Sequence, residues 1–132
     1  MADINSEILS QQPFPRLMGV EILEATQQRV RGRLVVRPDL CTAANILHGG
    51  AIMAFADTLG AIGAWLNLPQ GALTTTIESK TNFIGAAKEG TTVEAESTPF
   101  HIGKRSSVWQ TRILRADGAL VAVVTQTQMV LV

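Results

Sequence analysis

A histidine and an aspartate nine positions apart are the residues of this chain best suited to do chemistry. His48 is followed by Gly49 and Gly50, and Asp57 is the one charged residue in the apolar run that ends at Leu66. Glycines let a backbone approach a ligand closely. Free N–H groups at the start of a helix bind an anion, or a carbonyl oxygen that is becoming one. A buried carboxylate is costly unless it is paired, so Asp57 needs a partner or a pocket that admits water or ligand.

The run that carries both residues, 45–66, is apolar or small on nearly every side, which predicts one buried helix. At ~1.5 Å per residue, nine positions place His48 and Asp57 ~13 Å apart along the helix axis. The two cannot act on the same small group within one chain. If two copies of the helix run antiparallel across a two-fold axis, His48 of one copy comes beside Asp57 of the other. The spacing therefore predicts a homodimer with shared sites.

The same run has roughly the length of a membrane span, which is the competing interpretation. Asp57 lies in its middle, glycines interrupt it, and the rest of the chain alternates like the strands of a globular protein. A charge at mid-span is expensive in a bilayer. We therefore expect a core helix and no membrane partner.

Composition narrows the class of protein. The 132 residues have a formal net charge of zero and are 46% hydrophobic, enough for one domain over 1–132 with a single core and unlike a nucleic-acid binder or a disordered chain. One cysteine, Cys41, excludes an internal disulfide and fits a reducing compartment. Acidic Asp3 and Glu7 near the start do not fit a signal peptide, so we expect a cytoplasmic protein.

The chain pattern predicts an α+β fold. An N-terminal helical segment is expected over 1–15, with a helix at 5–12 that Pro13 and Pro15 end. Alternation and turn residues predict six strands, at 20–25, 30–36, 73–84, 91–98, 107–114 and from 120 to the C-terminus. One long apolar helix can bury itself only if a curved antiparallel sheet wraps around it.

Several motifs carry a resemblance to a known family. His-Gly-Gly at 48–50 is followed by Ala-Asp-Thr at 56–58, and the strand at 76–83 and Gly-Lys-Arg at 103–105 add to the pattern. Over roughly 38–132 the chain resembles the hotdog-fold acyl-CoA thioesterases, specifically the phenylacetate-degradation type. The resemblance implies a sheet wrapped around a central helix, paired into a dimer with a continuous sheet and often into a homotetramer.

The resemblance also implies catalytic roles. Gly49 N–H would polarise the thioester carbonyl, and His48 would orient that end or the thiol side of the substrate. Asp57 of the partner subunit would attack the carbonyl or activate the water that does so. Thr75 falls where family members carry a serine that holds this water.

Further residues are assigned to substrate binding by the same resemblance. The family usually has Asn or Gln six positions before the histidine, where this chain has Thr42, while Asn45 lies three positions before it. Lys104 and Arg105 would meet the phosphates of coenzyme A. Gly50 in the glycine pair and Asn82 on the later strand complete the expected acyl-CoA site, which uses no metal and no cofactor.

Other interpretations stay open at this point. A hotdog enoyl-CoA hydratase or dehydratase would typically show a proline-bearing motif after the histidine, where this chain has two glycines. A non-catalytic acyl-CoA-binding hotdog protein would not need Asp57 in its site. His48 could be a helix cap, Lys104 and Arg105 a solvated turn, and Cys41 a thiol nucleophile. For a thioesterase, the small and apolar residues expected around the pocket predict a neutral acyl group, short to medium in length or aromatic.

Overall fold

The computed structural model describes residues 4–132, with side chains from residue 7 onward. A 3₁₀ turn at Pro38–Leu40 precedes the long helix. The other elements, in chain order, are α1 Ile4–Leu9, α2 Pro13–Met18, β1 Glu21–Ala25, β2 Val30–Val35, α3 Gly49–Leu66, β3 Leu73–Phe83, β4 Thr92–Ile102, β5 Ser106–Arg115 and β6 Leu120–Leu131.

The strands form one antiparallel sheet of six in the order β1-β2-β4-β5-β6-β3. Helix α3 packs across one face of this sheet and contacts β2 to β6. β3 follows α3 in the chain but pairs only with β6, so it lies at one edge of the sheet while β1 lies at the other. The predicted α+β architecture, a sheet packed on one long helix, is confirmed.

The core lies between α3 and the inner face of the sheet. Side chains alternate between the two faces along a strand, so every second residue of β2, β4 and β5 meets the helix. Phe55 and Leu59 of α3 are completely buried against Leu34, Val93 and Ile113. Each such side chain stabilises the fold by roughly 1.5–3 kcal/mol relative to an exposed position.

Helix α3 is shorter and less enclosed than the pattern predicts. It begins at Gly49 rather than Asn45, because Asn45 has a φ of 60°, in the left-handed region, and cannot belong to a right-handed helix. One face packs on the sheet, while a stripe through Met53, Asp57 and Trp65 is exposed or half-buried. In the described part of the chain α3 alone is long and apolar enough to cross a membrane, and half of its 18 residues are buried inside the protein, as in a core helix.

The N-terminal segment and β4 differ from their predictions at prolines. Pro13 was expected to end a helix, but α1 already ends at Leu9 and Pro13 begins α2, where its missing N–H is not needed. β4 continues past Pro99 because the ladder with β5 has a bulge between Pro99 and His101. Residues 1–3 of the predicted 1–15 segment lie outside the described residues.

Candidate active site at the start and middle of helix α3

His48 is the N-cap of α3. Its backbone is extended, and its Nδ1 accepts a hydrogen bond from the Gly50 N–H at 2.7 Å. An accepting Nδ1 carries no proton, so in the neutral ring Nε2 carries it. The side chain is exposed, so His48 caps the helix through Nδ1 while its Nε2–H is left over as a donor at the same end.

The Gly49 N–H is a free donor at the positive end of this helix. In a longer helix it would donate to the carbonyl of Asn45, but that carbonyl accepts from the Glu89 N–H at 2.9 Å instead. Within residues 4–132, no group accepts a hydrogen bond from the Gly49 N–H. A Cβ added at Gly49 would lie 3.1 Å from the ring of Phe83, so the glycine leaves this donor only lightly shielded.

The carboxylate of Asp57 is half-buried and held through one of its oxygens. Oδ1 accepts hydrogen bonds from Thr76 Oγ1 at 2.7 Å and from Gln126 Nε2 at 3.2 Å. Oδ2 accepts none from the residues that the structure describes. A poorly solvated carboxylate requires hydrogen-bond partners, and here β3 and β6 supply them. The other oxygen, which has no partner among these residues, stays open on the exposed stripe of α3.

Gly49 and Asp57 do not form a site within one chain. Eight residues separate them on a single straight helix, which is ~12 Å along the axis. A thioester carbonyl bound at the Gly49 N–H is therefore out of reach of the Asp57 carboxylate of the same chain.

Thr75 and Thr76 face opposite sides of β3. Thr75 is exposed, whereas Thr76 is half-buried and reaches Asp57. The water-holding role predicted for Thr75 stays a prediction, and within one chain the threonine in contact with the carboxylate is its neighbour. Three consecutive threonines hide this distinction in the sequence, and the bulge beside Ile77 shifts the register that would reveal it.

Two buried glutamines near Asp57 were not predicted. Gln126 and Gln128 on β6 are 0% and 1% exposed; the Gln126 amide reaches Asp57 of α3, and the Gln128 amide reaches Thr76 of β3. Their sequence signal is two amides in succession at inward positions of a strand that is otherwise apolar on that face, as at Val124. Such a pattern marks a buried polar network rather than plain core.

Thr42 and Asn45 shape the turn that leads into α3. Thr42 Oγ1 accepts from the Ala44 N–H at 3.2 Å, and the Thr42 carbonyl accepts from the Asn45 N–H at 3.0 Å. Neither side chain is hydrogen-bonded to His48 or Asp57 among the described residues. Their predicted substrate contacts, and that of the exposed Asn82 on β3, stay predictions.

Lys104 and Arg105 lie in the exposed turn between β4 and β5. Neither forms an ion pair within residues 4–132. Lys104 lines a cleft of about 670 Å³ together with Asn67 and Leu68, at the C-terminal end of α3. Helix α3 is ~27 Å long, at 1.5 Å for each of its 18 residues, so one chain does not bring these cations to Gly49.

A second cleft, of about 390 Å³, opens beside His48. Phe14, Leu17 and Met18 of α2 form its apolar wall, and His48 and Gly50 lie on its other side. The cleft offers an apolar surface one helical turn from the free Gly49 N–H.

Cys41 also lines this cleft, but its chemistry argues against a thiol nucleophile. Burial raises the pKa of the Cys41 thiol above its ordinary value, and the negative charges of Glu89 and Asp39 raise it further. Its thiol donates to the Arg37 carbonyl at 3.3 Å. Since the thiolate is the nucleophilic form, this environment disfavours nucleophilic attack by Cys41.

Comparison with known proteins gives relatives of one kind. The family profile described as Thioesterase superfamily matches residues 44–122. A 1,4-dihydroxy-2-naphthoyl-CoA thioesterase of Arabidopsis thaliana is 30% identical over 111 residues, covering 83% of this chain and 69% of the relative. The 1,4-dihydroxy-2-naphthoyl-CoA hydrolase of Escherichia coli is 32% identical over 76 residues, covering 58% and 55%. The chain spans about half (52%) of a Vibrio cholerae relative, at 34% identity over 79 residues.

Solved structures show the same fold. A thioesterase of Haemophilus influenzae superposes with a TM-score of 0.89 at 24% identity, covering 99% of this chain and 91% of that one. A protein of the Escherichia coli phenylacetic acid degradation operon gives 0.86 at 19% identity, covering 93% and 87%. At these identities the likeness is one of fold.

The sheet packed on a single long helix defines a hotdog protein, and the free donor and held carboxylate on that helix define a candidate hydrolytic site. The chain belongs to the thioesterase superfamily. The predictions of a hotdog fold and, at the level of the family, of a thioester hydrolase are confirmed.

Proposed function

We propose that this protein hydrolyses acyl-CoA thioesters to a free acid and coenzyme A, with Asp57 as nucleophile or general base. The observation that carries the proposal is the state of the Asp57 carboxylate, which is fixed at Oδ1 and open at Oδ2 on the exposed stripe of α3. The free Gly49 N–H supplies the complementary donor for a thioester carbonyl.

The general-base route uses one water. The water oxygen bonds to the thioester carbon, and its proton passes to the carboxylate of Asp57 while the Gly49 N–H stabilises the oxyanion. The C–S bond then breaks and the proton goes to the leaving thiolate, giving acid and thiol. In the nucleophilic route the carboxylate bonds to the carbonyl carbon and expels the thiolate, and water then hydrolyses the mixed anhydride.

Each site is proposed to be shared between the two chains of a homodimer. The ~12 Å between Gly49 and Asp57 requires a second chain, and β3 provides a surface for it. This strand has one unpaired edge over 11 residues and exposes Leu73, Ile77 and Phe83. Long apolar edge strands attract another strand. Pairing of such dimers into a homotetramer, and a cytoplasmic location, are part of the same proposal.

The proposed substrate has a neutral acyl group, short to medium in length or aromatic. The cleft beside His48 has an apolar wall of Phe14, Leu17 and Met18. Its two charged lining residues, Arg37 and Asp39, are paired with each other at 3.0 Å, which suits a neutral group. Two relatives are named for an aromatic acyl-CoA, and the phenylacetate-degradation type would also take an aromatic one. Lys104 and Arg105, unpaired and exposed, are proposed to bind the phosphates of coenzyme A, a contact weakened by salt.

The test is release of free thiol from a panel of acyl-CoA substrates by the wild type and by Asp57→Asn. Asparagine keeps an acceptor for Thr76 but is neither base nor nucleophile, so folding should be retained and kcat should fall by ~10²-fold or more. Asp117→Asn, at the exposed hairpin between β5 and β6 and outside the proposed site, is the matched control and should keep full turnover.

Full activity of Asp57→Asn would contradict the proposal. Hydration of an enoyl-CoA without thiol release would favour the hydratase, and acyl-CoA binding without either reaction would favour a non-catalytic protein. A preference for dicarboxylic acyl groups would overturn the neutral substrate.

A further inference from the structure

A set of hydrogen-bonded polar side chains connects β3 and β6 to Asp57. Thr76 on β3 donates to Asp57 Oδ1, and Gln128 on β6, its direct cross-strand partner, donates from Nε2 to Thr76 Oγ1 at 2.5 Å. Thr74 Oγ1 lies 3.1 Å from Gln128 Oε1 and 2.8 Å from the Met129 carbonyl. The chain of contacts thus runs Thr74, Gln128, Thr76, Asp57.

The donors have a fixed direction. The Thr76 hydroxyl has a single proton, and its oxygen already accepts from the Gln128 amide, which leaves that proton for Asp57 Oδ1. If the Gln128 amide were turned over, its carbonyl would compete with Asp57 for the same proton. The orientation that leaves the Thr76 proton for Asp57 Oδ1 is favoured, because a hydrogen bond to a charged carboxylate is roughly twice as strong as one to a neutral amide oxygen.

Gln126 supplies an independent second donor. Its Nε2 lies 3.2 Å from Asp57 Oδ1 and 3.4 Å from the Asp57 carbonyl, both of which are acceptors. The amide reaches them by crossing α3 at Gly60, where an added Cβ would collide with it. The space left by this glycine is therefore what admits the donor.

Two completely buried glutamines are costly where valine or leucine would fill the sheet face equally well. Both amides serve the same acceptor oxygen: one donates to it directly, and the other donates to Thr76, which in turn donates to it. We propose that Gln126 and Gln128 are positioning residues that saturate Asp57 Oδ1, hold the carboxylate in one orientation and leave Oδ2 as the reacting oxygen. The inference rests on the proposed function, in which the Asp57 carboxylate acts on the thioester.

A double-mutant cycle on kcat tests the relay. Thr76→Val and Gln128→Met remove donors with little change of volume. Thr76→Val loses a hydrogen bond to a charged group and should lower kcat by about tenfold or more, whereas Gln128→Met loses one to a neutral hydroxyl and should lower it by about 2- to 10-fold. Because Gln128 acts through the Thr76 hydroxyl, Gln128→Met should cost nothing further in the Thr76→Val background. Thr76→Ser keeps the hydroxyl and should restore most of the turnover.

Gln126→Met is the matched comparison, since it removes the direct donor. Its loss in kcat should persist undiminished in the Thr76→Val background, while KM changes little in every variant. Urea unfolding of each variant separates catalytic loss from loss of folded protein. A Gln128→Met loss that is as large in the Thr76→Val background as in the wild type, or no loss at all, would overturn the relay.

A measurement that needs no turnover separates this inference from the proposed function. The side-chain amide protons of Gln126 and Gln128 are expected to change NMR shift when Asp57→Asn removes the charge they serve. If the wild type releases no thiol and these shifts still move, the proposed function fails and the network stands. Shifts that do not move would overturn the network even in an active enzyme.

Discussion

Two backbone N–H groups at the start of α3 differ in their hydrogen bonding because of one side chain. The Nδ1 of His48 accepts a hydrogen bond from the Gly50 N–H, which is ordinary helix capping. Its neighbour Gly49 keeps a free N–H at the positive end of the helix. Capping by His48 is therefore compatible with a free N–H at Gly49, whereas the sequence left open whether His48 is a helix cap or a site residue.

The contribution of the Gly49 N–H can be isolated by proline. Gly49→Pro removes this N–H at the first helical position, where proline is well tolerated, and the extended backbone of His48 suits a residue before proline. We expect kcat to fall by ~10²–10³-fold, as for loss of one oxyanion donor. Gly49→Ala keeps the N–H and adds a Cβ near Phe83 as proline does, so the ratio of its kcat to that of Gly49→Pro corrects for the Cβ and measures the replacement of the N–H by the ring carbons of proline. Equal kcat values for the two variants would show that the N–H has no role.

At the scale of the element, two glycines of α3 admit side chains from the sheet. Gly60 makes room for the amide of Gln126, and Gly63 makes room for the ring of the buried Trp109. The two glycines lie one turn apart on the same buried face. Only the first admits a group that contacts Asp57.

Alanine at each glycine separates packing from positioning. Gly60→Ala and Gly63→Ala both overpack the interface of α3 with the sheet, which should lower the free energy of unfolding by ~1–3 kcal/mol. The higher helix propensity of alanine offsets up to ~1 kcal/mol of that loss. Gly60→Ala should in addition lower kcat per folded molecule, because it displaces Gln126 from Asp57. Urea unfolding and thiol release measure the two effects. Equal kcat losses in both variants would mean that packing of α3 alone governs turnover.

At the scale of the whole molecule, one chain holds the two halves of the proposed site but cannot join them. The free Gly49 N–H lies at the start of α3 and the open oxygen of Asp57 lies at its middle, both on the side that the chain's own sheet leaves uncovered. The unpaired edge of β3 runs beside that side. A second chain meeting this face would complete both halves at once.

Subunit complementation tests sharing directly. Asp57→Asn and Gly49→Pro chains are each expected to be nearly inactive alone. After equal mixing and exchange, half of the dimers are mixed and each holds one intact site, so thiol release should recover to about one quarter of wild type. Exchange is verified with differently tagged chains in the same sample. No recovery after verified exchange, or a stable active monomer, would rule out sharing.

Patterns that are local in the chain were predictable. Alternating apolar residues located the six strands to within a few residues, except where a bulge let β4 continue past Pro99. The apolar run located α3, and His-Gly-Gly with Asp57 marked the two candidate site positions at its start and at its middle. The prediction that Pro13 ends a helix was wrong, because proline can follow one helix or begin another, and only the packing of α2 decides between them.

The sequence by itself determined the features that depend only on residues close together in the chain. These are the helix, the glycines near its start, and a carboxylate nine positions beyond His48. Only the tertiary structure decided what holds that carboxylate. Thr76 and Gln126 are 50 residues apart, and their meeting depends on the β3–β6 register, on the bulge near Ile77 and on the space at Gly60. Hydrogen bonds are short and directional, so a shift of one residue in that register would turn Thr75 toward Asp57 and Thr76 away from it.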